Sequence, residues 1–153
     1  MMNVTTTEST DKHVSLIVVD DDLGEVKAVK RSFAKARIKN PILHVVDGIE
    51  AIELLRSDDA PEKFIMLVDL NMPRMDGIEL VREIRRDPKL RKAIVFMFTT
   101  SDDQRDIAAA YDLNVAGYMV KFRVGEDFTN LINTLGCYST FVELPQIPSG
   151  GVK

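Results

Sequence analysis

The sequence predicts an α/β domain: a doubly wound sheet of five parallel strands flanked by five helices. Five strand-like runs, residues 14 to 19, 42 to 46, 64 to 68, 93 to 98 and 116 to 120, alternate with helix-like segments. That alternation implies βαβ crossovers and a parallel sheet. The runs around Val18, Leu67 and Phe96 are apolar on consecutive residues, as in strands covered by helices on both faces, so these three are expected at the centre.

Taken in order, residues 1 to 12 are threonine-rich and polar and cannot bury enough apolar surface to offset the entropy of ordering, so a disordered tail is expected. Val14-Ser-Leu-Ile-Val-Val19 is the first strand and ends on Asp20-Asp21. The first helix shows apolar spacing at Val26, Val29 and Phe33. Asn40-Pro41 separates it from the second strand, because proline disfavours helical geometry in the residue before it. The second and fourth helices follow from the alternation. The third strand, Phe64-Ile-Met-Leu-Val68, runs into Asp69-Leu-Asn-Met-Pro-Arg-Met-Asp-Gly77. The third helix carries Leu80, Val81 and Ile84 and stops at Asp87-Pro88. The fourth strand ends in Thr99, the fifth in Lys121. Phe128, Leu131, Ile132 and Leu135 mark the fifth helix, with Gly136 as its left-handed cap. Beyond it, Pro145, Pro148 and Gly150-Gly151 predict a frayed end. The expected domain spans 13–140, with tails at 1–12 and 141–153.

A chain of 153 residues with 45% apolar and 29% charged residues suits one globular domain. A net charge of −4 gives no general attraction to nucleic acid or anionic membrane. No apolar run approaches the ~20 residues that span a bilayer, and the polar start lacks a signal peptide's basic and apolar regions, so a cytoplasmic protein is expected. The single cysteine, Cys137, excludes an intramolecular disulfide framework and reads as a free structural thiol.

In open α/β sheets ligands bind beyond the carboxyl ends of the strands. Asp20, Asp21, Asp69, Thr99 and Lys121 all follow such ends. Three close carboxylates repel one another unless a cation or protons compensate. Mg²⁺ suits an all-oxygen site with few protein ligands, here Asp21, Asp69 and the Asn71 main-chain carbonyl, with Asp20 nearby through water. Thr99 and Lys121 supply a hydroxyl and a compact positive charge for phosphoryl oxygens. Asp69, in the middle of the acid set and followed by a turn, is the best nucleophile for phosphorus, and the product is an acyl phosphate. Phosphorylation adds about 1.5 to 2 negative charges and three acceptor oxygens, which can draw Thr99 inward. Tyr118, on the neighbouring strand, is placed to rotate into the space this opens, making Thr99 and Tyr118 a switch.

The set Asp20-Asp21, Asp69 within Val-Asp-Leu-Asn-Met-Pro-Arg-Met-Asp-Gly, Thr99, Tyr118 and Lys121 resembles the receiver domain of two-component response regulators, from about Val14 to Gly136. The resemblance implies a flavodoxin-like receiver fold, with Asp69 as phosphoacceptor, Asp20 and Asp21 as the acid pair, Thr99 and Tyr118 as switch residues and Lys121 as the phosphate-contacting lysine. Asp22-Leu-Gly-Glu25, Asp87-Pro-Lys-Leu-Arg91, Thr99-Thr-Ser-Asp102, Ala110-Tyr-Asp-Leu113 and Val142-Glu-Leu-Pro145 look further like the stand-alone regulators that serve bacterial phytochrome kinases. That implies phosphoryl transfer from a light-regulated histidine kinase and a homodimer through helix 4, strand 5 and helix 5. The chain departs from the family at Phe122, where proline after a cis bond is usual. A non-proline cis bond costs ~3 to 4 kcal/mol, so a trans bond with a rearranged loop or a strained loop is expected. Asn114-Val115 replaces a usual Gly-Ala pair, and asparagine tolerates the left-handed turn.

Taken singly, each feature has a plainer explanation. Asp69 before a turn, or Asp20 and Asp21 before a helix, can be capping acids, and Lys121 alone can be a solvated charge. Their conjunction at separate strand ends favours a site. His13 and His44 have no spaced partners and are not expected to bind metal. Met66, Met97 and Met119 are expected to fill core gaps, and Tyr111 to pack at a helix surface. The basic residues Arg82, Arg85, Arg86, Lys89, Arg91 and Lys92 are interleaved with acids and read as a solvated face. The competing function is a Mg²⁺-dependent phosphohydrolase working through the same aspartyl phosphate. Dehalogenase-type phosphatases carry a second aspartate two residues after the nucleophile, where this chain has Asn71, which cannot transfer the proton. A long-lived intermediate, and therefore a signalling role, is expected instead. A nucleotide or flavin carrier is disfavoured by the acidic loop Asp20-Asp-Asp-Leu-Gly24.

Overall fold

The strands lie in the order β2-β1-β3-β4-β5, all parallel, in a computed structural model that describes residues 14–123, 131–136 and 144–148. They are β1 (Val14–Val19), β2 (Ile42–Val45), β3 (Lys63–Val68), β4 (Ile94–Thr99) and β5 (Gly117–Val120). The three runs that are apolar on consecutive residues, β1, β3 and β4, are the three central strands, as expected. They supply both layers at once: Ile17, Val19, Met66, Val68 and Met97 face one core and Leu16, Val18, Ile65, Leu67 and Phe96 the other. Helices α2 (Gly48–Leu55), α3 (Gly77–Arg86) and α4 (Gln104–Asp112) cover the first face. Helix α1 (Leu23–Lys35) and the helical residues 131–136, here α5, cover the second. The family's doubly wound flavodoxin-like receiver fold is the one observed. Met66 and Met97 lie fully inside the core, and Met119 packs against its second layer.

Register aligns the strand ends. β1 and β3 pair from Val14 with Lys63 to Val19 with Val68, so Asp20 and Asp69 emerge side by side. Thr99 pairs with Val120 at the last rung of β4 and β5, and Lys121 follows at once. Helix starts are capped locally. Asp22 accepts the Gly24 and Glu25 amides at α1, which leaves Asp20 and Asp21 out of the capping role. Asp76 and Glu79 close a reciprocal capping box at α3, and Asp47 caps α2. Asp87 ends α3 in extended geometry, as the following proline requires. Asn114 adopts φ 61°, the left-handed conformation expected for that turn.

The loop from β3 to α3 is stitched on both sides. Gly77 N–H donates to Leu70 O at 2.8 Å, Gly48 N–H to Met75 O at 3.2 Å, and Arg74 forms an ion pair with the buried Asp47 at 2.7 Å. A Cβ on Gly77 would meet Asp69 O at 2.3 Å and Leu70 Cα at 3.0 Å. Glycine is therefore a close-approach requirement where the helix starts against the strand end.

Two stretches differ from expectation. Arg85 is no solvated cation: its guanidinium donates to the carbonyls of Leu113 at 2.7 Å, Arg91 at 2.7 Å, Ala93 at 2.8 Å and Asn114 at 3.1 Å, tying α3 to the turns that lead into β4 and β5. Arg82, Arg86, Lys89, Arg91 and Lys92 are exposed. Within the C-terminal stretch expected to fray, residues 144–148 lie against the core: Ile147 is 4% exposed and its N–H donates to Glu62 O at 2.8 Å. The tail at 1–12, His13, Phe128 and Cys137 lie outside the described residues, whereas Gly136, expected as a left-handed cap, is still helical and has no left-handed φ. Among the described residues no helix is long and apolar enough to cross a membrane.

The clash at Gly77 is with backbone, which cannot swing aside. Gly77→Ala should lower stability by about 1–3 kcal/mol, the usual range for overpacking, and urea unfolding monitored by circular dichroism would read that loss.

Candidate functional site

The carboxyl ends of β1, β3, β4 and β5 converge. Each of Asp20, Asp21 and Asp69 offers a carboxylate oxygen, and the three oxygens lie within 4.8 Å of one another. Asp20 and Asp69 are buried, Asp21 exposed, so the cluster opens to solvent on the Asp21 side. Such a donor set, all hard oxygen and partly open, fits a divalent cation that keeps some of its waters. Asn71, two residues past Asp69, is exposed at the start of the stitched loop.

Lys121 reaches across from β5. Its Nζ lies 2.8 Å from Asp20 Oδ2 and 3.6 Å from Asp69 Oδ2, and 5.6 Å from the centre of the Phe98 ring. Burial opposes its charge, but the hydrogen bond it donates to Asp20 and the charges of Asp20, Asp69 and Glu25 prevail and raise its pKa. Asp20 is held at both oxygens, since Oδ1 accepts the Asp22 N–H at 2.9 Å. Burial pushes the Asp69 carboxyl above its ordinary 3.8. The Lys121 charge opposes that shift, the Asp20 charge reinforces it, and hydrogen bonds from Thr99 and the Leu70 N–H favour the anion. Thr99 is 0% exposed behind Asp69. Two residues on, the Ser101 carbonyl accepts the Tyr118 hydroxyl at 3.0 Å, and burial of that phenol raises its pKa. Tyr118 is thus half-buried, linked to the chain that leaves Thr99.

Phe122 follows Lys121 through a trans peptide, and Lys121–Arg123 form a 3₁₀ turn. Of the two outcomes expected there, the trans bond is the one found, and the lysine reaches the acids nonetheless. The Phe122 ring is 67% exposed beside the site.

Three residues of this neighbourhood escaped the sequence reading. Glu25, in the first turn of α1, is half-buried; burial raises its pKa, and the charges of Lys121, Asp20, Asp22 and Asp69 act on it. Its position one helical turn past Asp21 was the available signal. Asp47 is held below the usual carboxylate range chiefly by the Arg74 guanidinium, a pairing 27 residues apart. His44, on β2, bonds through Nε2 to the Asp20 carbonyl at 2.8 Å.

The profile of the response regulator receiver domain matches residues 16–133, and the chain belongs to that family. Among its relatives is Response regulator Rcp1 of Synechocystis sp., 28% identical over 138 residues that span 88% of this chain and 92% of that protein. The Mn²⁺-bound form of Rcp1 overlays with a TM-score of 0.71 at 27% identity, over 88% of this chain and 99% of that one. A response regulator receiver domain from Rhodospirillum rubrum gives 0.76 at 30% identity, over 88% and 99%. The phosphorylated cyanobacterial phytochrome response regulator RcpA gives 0.76 at 28%, over 86% and 98%.

A carboxyl whose pKa is raised on folding penalises the folded state only when ionised. For Asp69 the penalty is absent below 3.8, grows as pH rises through that value, and is complete above the folded-state pKa. In EDTA at pH 7, Asp69→Asn should therefore raise Tm by a few degrees, a gain that fades as pH falls toward 3.8. Calorimetric melts of both proteins across that range would check it, and an unchanged or lower Tm at pH 7 would contradict it.

Proposed function

We propose that this receiver domain takes a phosphoryl group onto Asp69 from a phosphohistidine of a histidine kinase, with Mg²⁺ bound by Asp21, Asp69 and the Asn71 carbonyl and with Asp20 nearby. The observation that carries the reading is the meeting of Asp20, Asp69 and Lys121 at three strand ends, with Thr99 buried behind them. An Asp69 oxygen attacks phosphorus, the bond from phosphorus to the imidazole nitrogen breaks with its electron pair going to that nitrogen, and the ring, already protonated on its other nitrogen, leaves as neutral imidazole. Lys121 and Thr99 receive phosphoryl oxygens, by ammonium charge and by hydroxyl hydrogen bond. When bound, the ion neutralises charge that builds on the transferring group. Asn71 and Ser101 offer no base to position a hydrolytic water, and the Ser101 hydroxyl is turned to Asp106 at 2.6 Å. These features favour a lasting acyl phosphate, hence a signal rather than turnover.

The reading extends to output and partner. Thr99 at Asp69, followed by Ser101 and Tyr118, forms one connected path from the acceptor to the α4–β5 face, and we assign the switch to Thr99 and Tyr118. Likeness to RcpA, a phytochrome response regulator, supports a bacteriophytochrome-type kinase as donor. β5 is a sheet edge and Tyr111 on α4 is exposed, which supports a homodimer through α4, β5 and α5.

Incubation with acetyl phosphate and MgCl₂, then intact-mass analysis, should add one phosphoryl group to the wild type and none to Asp69→Asn or to either protein in EDTA. The label should decay slowly, and faster in Thr100→Ala, which removes bulk beside Thr99 where family members often carry a small residue; loss within seconds in the wild type would defeat the signalling role. Sedimentation with and without the donor should reveal a dimer, and monomers under both conditions would remove the α4–β5–α5 interface.

A further inference from the structure

Asp20 leaves the sheet with its N–H still paired, to Val45 O at 3.1 Å, but β1 has ended at Val19 and, among the described residues, no backbone N–H donates to the Asp20 carbonyl. The partner it has is a side chain. His44 sits on the edge strand β2, in register with Val18, and its Nε2 lies 2.8 Å from that carbonyl oxygen. A carbonyl oxygen only accepts, so Nε2 carries the proton and the tautomer is set. The carbonyl of Asp20 and the nitrogen of Asp21 belong to one rigid plane. A donor fixed on the oxygen therefore restrains rotation of that plane, and with it the direction in which Asp21 leaves the backbone. Asp20 needs little such help, being held at both carboxylate oxygens by the Asp22 N–H and Lys121. The Asp21 carboxylate is exposed, so its aim depends on the backbone that carries it.

We infer that His44 is a positioning residue for the acid pair: its ring N–H locks the peptide between Asp20 and Asp21 and so aims the Asp21 carboxylate at a divalent cation. The inference rests on the metal-assisted reading above and adds a residue to it, from a strand that supplies none of the ligands. Hydrogen-bond partners one step removed from a metal typically change affinity by about 10- to 100-fold when lost, and His44 acts one peptide further out, so the lower end applies.

Titration calorimetry with MgCl₂ on wild type, His44→Phe and His44→Gln, each checked for folding by circular dichroism, tests this. Phenylalanine keeps the ring and removes the donor, whereas the glutamine amide nitrogen reaches about as far as Nε2. His44→Phe should weaken Mg²⁺ binding about tenfold, and His44→Gln should restore most of the affinity. A folded His44→Phe with wild-type affinity would overturn the inference, and so would a glutamine variant as weak as the phenylalanine one, since packing would then explain the loss. The wild type supplies an independent check should His44→Phe not fold: ¹⁵N spectra should show Nε2 protonated, and a neutral ring protonated at Nδ1 would overturn the inference. A wild type that fails to bind Mg²⁺ at all would instead remove the metal-assisted reading itself.

Discussion

The Lys121 ammonium, its side chain only 8% exposed, lies 2.8 Å from one aspartate oxygen and 3.6 Å from another, across the end of β4 from the strand that carries it. Removing such a charge from water is costly unless opposite charge and hydrogen bonds surround it. The acids face the complementary difficulty, since Asp20 and Asp69 emerge side by side from β1 and β3 and repel. Each difficulty offsets the other. The pairing requires the strand order β2-β1-β3-β4-β5, which sets β1 and β3 adjacent and brings β5 within one side chain's reach of both. Topology, register and charge thus converge on a single contact, and the remaining side chains of the site are disposed around it.

Much of this was legible in the residues because the relevant signals are local. A strand buried on both faces must be apolar throughout, so the first polar residue after it marks the edge of the sheet; that rule located Asp20, Asp69, Thr99 and Lys121. The centrality of β1, β3 and β4 followed from the same property. What escaped the reading depends on pairing across distance. Arg85 looked like one more surface cation until four carbonyls from two turns met around it. Asp47 and Arg74, 27 residues apart, meet only because α2 lies beside the β3–α3 loop. Asp22 took the capping role that Asp20 and Asp21 were equally qualified for by composition, and Ile147 found a place in the core from a stretch rich in proline and glycine.

The junction after β5 shows how one geometry is reached by another route. The trans bond before Phe122 leads into a 3₁₀ turn, and Lys121 still meets both acids because its position is set by the last rung of the ladder, Thr99 with Val120, before the junction begins. The cost of the departure appears on the surface, where a large apolar residue, Phe122, is exposed to solvent.

A cluster of acids that contains its own ammonium does not wait for a mineral ion to become foldable. The Lys121 pairing compensates Asp20 and Asp69 from within the chain, so the fold can form where divalent cations are scarce.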